Sequence, residues 1–298
     1  MKRIEHYKIS HLPDEPKQPH SDSFIFHQKV LDSKNARSAT LKLRISKKDS
    51  ALEGRYNEYD AAFSSDTLEK ITEDSGMQAM KDDLQSLYDY KAKPFADLLD
   101  TLITHDGILD DTCPNCDKDS VETFDHLLPQ SLYPEFSDHP LNLMPCCSEC
   151  NGHKSSVWLE DGKRKYLNLY LDEIPAEQFL FCTIKVENNN LICDFRLDNK
   201  NGIETDMFRK INNHFTKLDL LDRYKRRSSQ IISRYKSTLR NGKKRVAAGY
   251  STKDIIRKEM LYESLDMKAR EGNNYWQALI YEACSNTTPV FDFIFDEV

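Results

Sequence analysis

The side chains best suited to chemistry lie in the middle of the chain. Cys113 and Cys116 form one Cys-x-x-Cys pair, Cys147 and Cys150 form a second, and 30 residues separate the two pairs. Such a pair presents two thiolates to one metal ion from a tight turn, and two pairs complete a tetrahedral site of four sulfurs. Because four protein ligands leave no open position, the spacing predicts a structural rather than a catalytic zinc.

A fifth cysteine competes for one ligand position. Cys146 directly precedes Cys147, but only Cys147 has the two-residue spacing to Cys150, so we interpret Cys146 as a small core residue. In a chain without an export signal, clustered cysteines are typical of metal ligands rather than of disulfide bonds. The cluster therefore predicts a reducing compartment, the cytoplasm.

A second group of ligands, of different chemistry, lies between and beside the cysteine pairs. Asp125 offers a carboxylate, His126 an imidazole, and Asn142 and Asn151 offer amide oxygens. A zinc thiolate site needs none of these, whereas Mg²⁺ prefers carboxylate and carbonyl oxygens and keeps several waters for a phosphate substrate. Histidine is suited to act as a general base beside such an ion, because its ordinary pKa of about 6.5 leaves it largely neutral at pH 7.

Asp125 and His126 are neighbours in the sequence, which limits how their side chains can share one site. Neighbours in a regular strand point to opposite faces, so the two side chains serve one site only if the strand ends or bends there. The residues that follow, 127–129, are Leu, Leu and Pro, which favour an irregular exit from the strand.

The order of these motifs resembles that of the HNH endonucleases. The matching elements are Asp125-His126-x-x-Pro129, Asn142-Leu143 and Cys147-x-x-Cys150-Asn151-x-x-Lys154, preceded by the first cysteine pair. The resemblance covers some 44 of the 298 residues and implies a small ββα-metal module that structural zinc holds together. The phrase at 124–136 also resembles a bacterial subgroup, some of whose members serve in phage defence beside a separate ATPase.

The resemblance implies a role for each matched residue. Asp125 binds a catalytic Mg²⁺ or another divalent cation, and His126 activates the attacking water. Asn142 orients the loop and the histidine. Asn151 is a second metal ligand, and Lys154 contacts phosphate one helical turn further on. The implied products carry 5′-phosphate and 3′-hydroxyl ends.

A rival for the last metal-ligand position stays open. His153 lies two residues after Asn151, which on a helix turns it to roughly the opposite side, about 200° away. We therefore favour Asn151.

Charge is unevenly distributed along the chain. The net charge is −7, yet residues 209–258 contain 16 Lys and Arg against 3 Asp and Glu, a net charge of +13. Such a block favours a phosphate-bearing partner such as DNA, and the alternative is a solvated helix face. The candidate DNA contacts in this block are Arg226, Arg227, Lys243, Lys244 and Arg245.

The predicted fold class is α+β, in three segments. Residues 1–107 are predicted to be mostly helical between 52 and 104, with little regular structure before residue 50 except a strand at 39–45. Residues 108–160 form the zinc-containing nuclease module. Residues 161–298 form a β-hairpin, from 179–186 and 191–197, and then basic helices, one of which ends at Asn241-Gly242. The sequence contains no run of about 18 apolar residues, so no membrane span is predicted.

These features together predict a metal-dependent endonuclease that hydrolyses phosphodiester bonds in DNA. Two alternatives stay open. The first is a zinc-containing nucleic-acid-binding module without catalytic activity. The second is the nuclease subunit of an anti-phage defence assembly, active only with an ATPase partner.

Overall fold

The computed structural model describes residues 22–35, 38–105, 108–153 and 156–298. These residues form two compact units, one that extends to Glu173 and one from Ile174 to Val298. Helices predominate, and the strands of the described ranges pair in separate two-stranded antiparallel sheets. The fold class is therefore α+β, as predicted. The division into three segments stays a prediction, and both of its boundaries lie inside the first unit.

The first unit contains short helices around small two-stranded sheets. Its helices are α1 (Asp22–Ser33), α2 (Ala39–Ser46), α3 (Asp49–Ser64), α4 (Ser75–Gln78), α5 (Lys81–Gln85), α6 (Lys93–Ile103) and α7 (Ser148–Gly152). Its strands are β1 (Thr104–His105), β2 (Ile108–Leu109), β3 (Thr123–His126), β4 (Leu143–Cys146), β5 (Leu159–Glu160) and β6 (Lys163–Arg164). Short 3-10 turns lie at Leu68–Lys70, Pro134–Phe136 and Pro140–Asn142.

The predictions for the start of this unit were partly wrong. Residues 39–45 were predicted to form a strand but belong to α2, and α1 precedes them in a stretch predicted to be irregular. Apolar residues alternate along α2, but of the eight residues only Ile45 is buried, and Leu43 is 59% exposed. No sheet face forms there, so the helix propensity of Ala, Leu, Lys and Arg decides the local structure.

The core of the first unit is an aromatic cluster between α1, α3 and the long β3–β4 connection. Tyr56 and Tyr59 of α3 stack against His139 with ring centroids 4.5 and 4.1 Å apart, and Phe136 packs edge-on against both tyrosines. Tyr56, Tyr59, Phe136 and His139 are all fully buried. The N-terminal helices are therefore packed directly around the segment that joins β3 to β4.

The second unit is a β-hairpin covered by helices. Its elements are β7 (Leu180–Glu187), β8 (Asn190–Leu197), α8 (Thr205–Lys217), α9 (Leu220–Ala247), α10 (Lys253–Glu271), α11 (Trp276–Asn286) and α12 (Thr288–Glu297). The predicted hairpin is confirmed, and Asn188 and Asn189 form its two-residue turn with positive φ values of 50° and 60°. Helices α11 and α12 pack on β7, and α9 packs on β8.

Two details of α9 differ from the prediction. The helix does not end at Asn241-Gly242 but continues to Ala247. Gly242 serves for close packing rather than as a helix end, because a Cβ there would be 2.6 Å from a side-chain carbon of Ile256 on α10. Arg223, a cation of the basic block at 209–258, does not face solvent: it is 1% exposed and donates to the Leu218 carbonyl. No helix in the described ranges has the length and apolar character that a membrane crossing requires.

Candidate metal centre and catalytic loop

The two cysteine pairs converge in the first unit. The sulfurs of Cys113, Cys116, Cys147 and Cys150 all lie within 4.8 Å of one another, and all four residues are buried. This arrangement can hold a metal ion such as zinc, as predicted. Cys146 is buried on β4 opposite Thr123 and is outside the cluster, so Cys147 rather than Cys146 belongs to the four cysteines that can hold the ion.

Hydrogen bonds from the backbone to sulfur shape the second cysteine pair and join it to the first. Cys147 is the N-cap of α7, and its sulfur accepts from the Cys150 N–H at 3.4 Å, while the Cys113 sulfur accepts from the Cys147 N–H at 3.3 Å. The hydrogen bond with Cys113 is the largest cause of the lowered pKa of the Cys147 thiol. It is also the largest cause for Cys116, whose pKa is lowered to about 7. Hydrogen bonds within the cluster also raise the pKa of Cys113 and Cys150, so two of the four thiols favour the thiolate form that binds metal and two do not.

The Asp-His pair lies at the end of β3. Strands β3 and β4 are antiparallel, with Asp125 opposite Met144 and His126 opposite Leu143, and the strand ends directly after His126 in a bend at 127–128. Both side chains are half-buried. The predicted irregular exit from the strand is therefore present.

The imidazole of His126 is held on several sides. Its Nε2 lies 2.8 Å from the Ser137 carbonyl oxygen, and the Tyr88 ring packs edge-on against it at 4.6 Å. Because a carbonyl only accepts, Nε2 carries the proton and Nδ1 keeps its lone pair. The Gln130 side-chain nitrogen lies 3.1 Å from Nδ1 and 2.6 Å from Nε2, so the amide covers the ring edge between the two nitrogens.

Asn142 is placed inside the β3–β4 connection and is fully buried. Its side-chain N–H groups donate to the carbonyls of Leu128 and Phe136, at 3.1 and 2.9 Å, and its Oδ1 accepts from the Leu128 N–H at 2.7 Å. The Tyr59 hydroxyl donates to the same oxygen at 3.1 Å. Asn142 thus ties the two ends of the connection together and has no open side for a metal ion or substrate.

The last motif lies on α7, which packs against β3. Asn151 is exposed on this helix. His153, the first residue after the end of the helix, is exposed as well. The strand that carries Asp125 and the helix that carries Asn151 are therefore neighbours. Lys154 lies outside the described residues.

The predicted DNA contacts lie on α9 in the second unit, and several are already engaged. Arg226 forms an ion pair with Asp219 at 2.8 Å, Arg245 pairs with Glu259, and the Lys243 ammonium donates to the Asp296 carbonyl at 3.1 Å. Part of the positive charge is thus balanced within the unit. Two further cations on the helix, Arg227 and Lys244, are exposed.

Sequence reasoning missed the groups that hold His126. The Ser137 contact is made by a backbone carbonyl, which residue type does not reveal, and Tyr88 lies 38 positions away in the sequence. Gln130 could have been noticed, because it directly follows the matched Pro129. The missing signal in each case is spatial proximity.

The chain is similar to the protein ea31 of Escherichia phage lambda. The two are 28% identical over 221 residues, which cover 70% of this chain and 73% of that protein. No protein-family model matches the chain. No solved structure matches it either.

Proposed function

We propose that this protein is a metal-dependent endonuclease of the HNH type, with a ββα-metal module formed by β3, β4 and α7. The observation that carries the proposal is the hydrogen bond from His126 Nε2 to the Ser137 carbonyl. It directs Nδ1, the nitrogen that would act as the base, away from the carbonyl at the end of β3.

The general base in this proposal is His126, which takes a proton from the water that attacks phosphorus. The half-buried position of the ring keeps it accessible, and the Tyr88 and Ser137 contacts limit its rotation. The Gln130 amide covers the ring edge between the two nitrogens, so the attacking water has to displace it to reach Nδ1. Asn142 supports the base by holding the connection that carries the Ser137 carbonyl.

The divalent cation would be held by Asp125 and Asn151, both oxygen donors on neighbouring elements, and His153 is the alternative to Asn151. An exposed amide and a half-buried carboxylate fit a hard cation that keeps several of its waters. When bound, such an ion stabilises charge on the scissile phosphate and on the leaving 3′-oxygen. The cysteine cluster has no open position and stays structural.

The substrate in this proposal is DNA, with α9 as an electrostatic surface for its backbone. Exposed cations such as Arg227 and Lys244 support affinity without sequence choice. The biological setting we propose is bacterial phage defence, with an ATPase as the candidate partner. Cleavage that appears only when an ATPase co-purifies with the chain would assign the subunit alternative.

Plasmid cleavage by the purified protein with Mg²⁺, with and without EDTA, tests the proposal. The variant His126→Ala should reduce the cleavage rate by about 10²–10⁴-fold, because it removes the general base. Zinc content and circular dichroism should match wild type. The matched variant is His153→Ala, an exposed histidine of the same module, which should keep its activity if Asn151 is the metal ligand.

Other outcomes separate the alternatives. Near-wild-type nicking by His126→Ala would remove this residue as the base. DNA binding without cleavage in any divalent cation would assign the non-catalytic binding module instead.

A further inference from the structure

The segment that carries the Ser137 carbonyl is anchored by a buried carboxylate. Asp138, the next residue, is 1% exposed. Its Oδ2 lies 2.9 Å from Nδ1 of His27 on α1, and its Oδ1 accepts from the hydroxyl of Tyr56 on α3 at 2.8 Å. A carboxylate buried without partners is strongly destabilising, so both N-terminal helices are needed to keep Asp138 in this place.

The next residue in the same segment has a second anchor. His139 is fully buried between the rings of Tyr56 and Tyr59, and its Nδ1 accepts from the Leu141 N–H at 3.3 Å. Its Nε2 lies 3.4 Å from Oδ1 of Asp60. Three consecutive residues, 137–139, therefore connect the His126 ring to helices that lie far away in the sequence.

The buried network leaves the Ser137 carbonyl little freedom to move. Ser137 is fully buried, and its own hydroxyl donates to the Pro134 carbonyl at 2.7 Å. A shift of the Asp138 side chain would rotate the peptide that links it to Ser137. The imidazole of His126 would then lose the acceptor that selects its Nε2–H form.

We propose that Asp138 is a positioning residue: its anchorage to the N-terminal helices fixes the carbonyl that orients His126. This inference rests on the proposed function for its effect on catalysis, but its effect on the imidazole is independent of any activity. It also assigns a role to helices α1 and α3, which belong to the scaffold of the proposed catalytic site.

Two substitutions remove the anchor in different ways. Asp138→Asn replaces the ionised acceptor, and Tyr56→Phe deletes one hydroxyl while the ring keeps its packing against Phe24 and His139. If Asp138→Asn fails to fold, Tyr56→Phe still tests the proposal. The matched control is Tyr235→Phe, which also deletes a buried hydroxyl, hydrogen-bonded to Ser285 in the second unit.

The first measurement is ¹⁵N NMR of the His126 ring without added divalent cation at about pH 8, where an ordinary imidazole is neutral. Wild type and Tyr235→Phe should show one protonated nitrogen, Nε2, and one unprotonated nitrogen, Nδ1. In the two anchor variants the two shifts should converge, because both tautomers become populated. Lower stability alone would reduce the folded fraction without mixing the tautomers.

The second measurement is steady-state cleavage. The anchor variants should lose about 10-fold or more in kcat with KM unchanged, whereas Tyr235→Phe should keep both. Wild-type kcat together with wild-type ring shifts in Tyr56→Phe and in any folded Asp138→Asn would overturn the inference and leave the proposed nuclease intact. If wild type itself does not cleave, the proposed function fails, and the ring shifts alone decide whether Asp138 positions His126.

Discussion

The sulfur of Cys116 is one of four that can share a single metal ion, so its loss should affect folding more than chemistry. Cys116→Ser should lose the metal and unfold the first unit, because structural zinc contributes folding free energy directly. The control is Cys146→Ser, which replaces a buried cysteine outside the cluster and should keep about one zinc per chain. Metal analysis and circular dichroism measure both effects, and a folded, active, zinc-free wild type would contradict the structural site.

His27 should make stability depend on pH. Burial lowers its pKa, but the charge of Asp138, the hydrogen bond to Asp138 and the charge of Asp49 together raise it by more, so the net shift is upward. Tyr56 also faces the ring from α3, and Phe24 stacks on it from its own helix. A histidine whose pKa is raised by folding binds a proton more tightly in the folded state than in the unfolded state.

The sign of the pH dependence follows from this shift. The stabilisation from His27 is fully present below the ordinary histidine pKa of about 6.5 and is lost as the pH rises through the raised folded value. Urea unfolding of wild type and His27→Gln should therefore give a difference in free energy that shrinks towards alkaline pH. A difference that stays constant with pH would contradict the predicted shift.

Helix α9 contains a glycine whose role is close packing. Gly242 is buried against Ile256 of α10, while Gly54 of α3 has no atom within 4 Å of an added Cβ. Gly54→Ala should stabilise the protein by about 0.5–1 kcal/mol, because alanine is the better helix former. Gly242→Ala should destabilise it by up to about 2 kcal/mol, since overpacking costs about 1–3 kcal/mol and exceeds the same propensity gain.

Thermal unfolding of the two glycine variants gives the comparison. In an Ile256→Ala background, which lacks the Cγ and Cδ atoms that an added Cβ would meet, Gly242→Ala should cost less stability than in wild type. Equal stabilisation by both alanines would mean that α9 and α10 do not approach closely at Gly242.

If the cations of α9 contact DNA phosphates, removing them should weaken DNA binding by the protein. Replacing Arg226, Arg227, Lys243, Lys244 and Arg245 by Gln should weaken binding similarly for all sequences. The plot of log K against log salt should flatten by about 0.9 for each lost phosphate contact. The ion pairs of Arg226 and Arg245 compete with phosphate, so these two residues should contribute less than the exposed Lys244.

Zinc content and cleavage at saturating DNA should stay unchanged in this five-fold variant, because the substitutions lie outside the metal module. A salt slope equal to that of wild type would show that α9 is not the DNA surface. The solvated-face alternative also predicts stability changes within roughly ±0.5 kcal/mol for each substitution.

The spacing of residues in the sequence was enough to predict the cysteine cluster, the hairpin and the α+β class. These features depend on short-range spacing: two residues between paired cysteines, and alternating strands around a turn with Asn at two positive-φ positions. Local geometry suffices for the hairpin and for each Cys-x-x-Cys pair, because their residues meet within a few positions of one another. The convergence of the two pairs across 30 residues was predictable for another reason, namely that a tetrahedral zinc site needs four ligands. The end of β3 directly after His126 was predictable for the same reason.

The surroundings of His126, the proposed general base, could be known only from the folded chain. The acceptor of its proton is a backbone carbonyl, and the anchor of that carbonyl joins Asp138 to residues 111 and 82 positions away. A backbone group and a long-range contact produce no periodic pattern in the sequence, so neither could be predicted from it. The strand predicted at 39–45 failed for a related reason: alternation indicates a sheet only where a face is buried, and burial is a property of the whole fold.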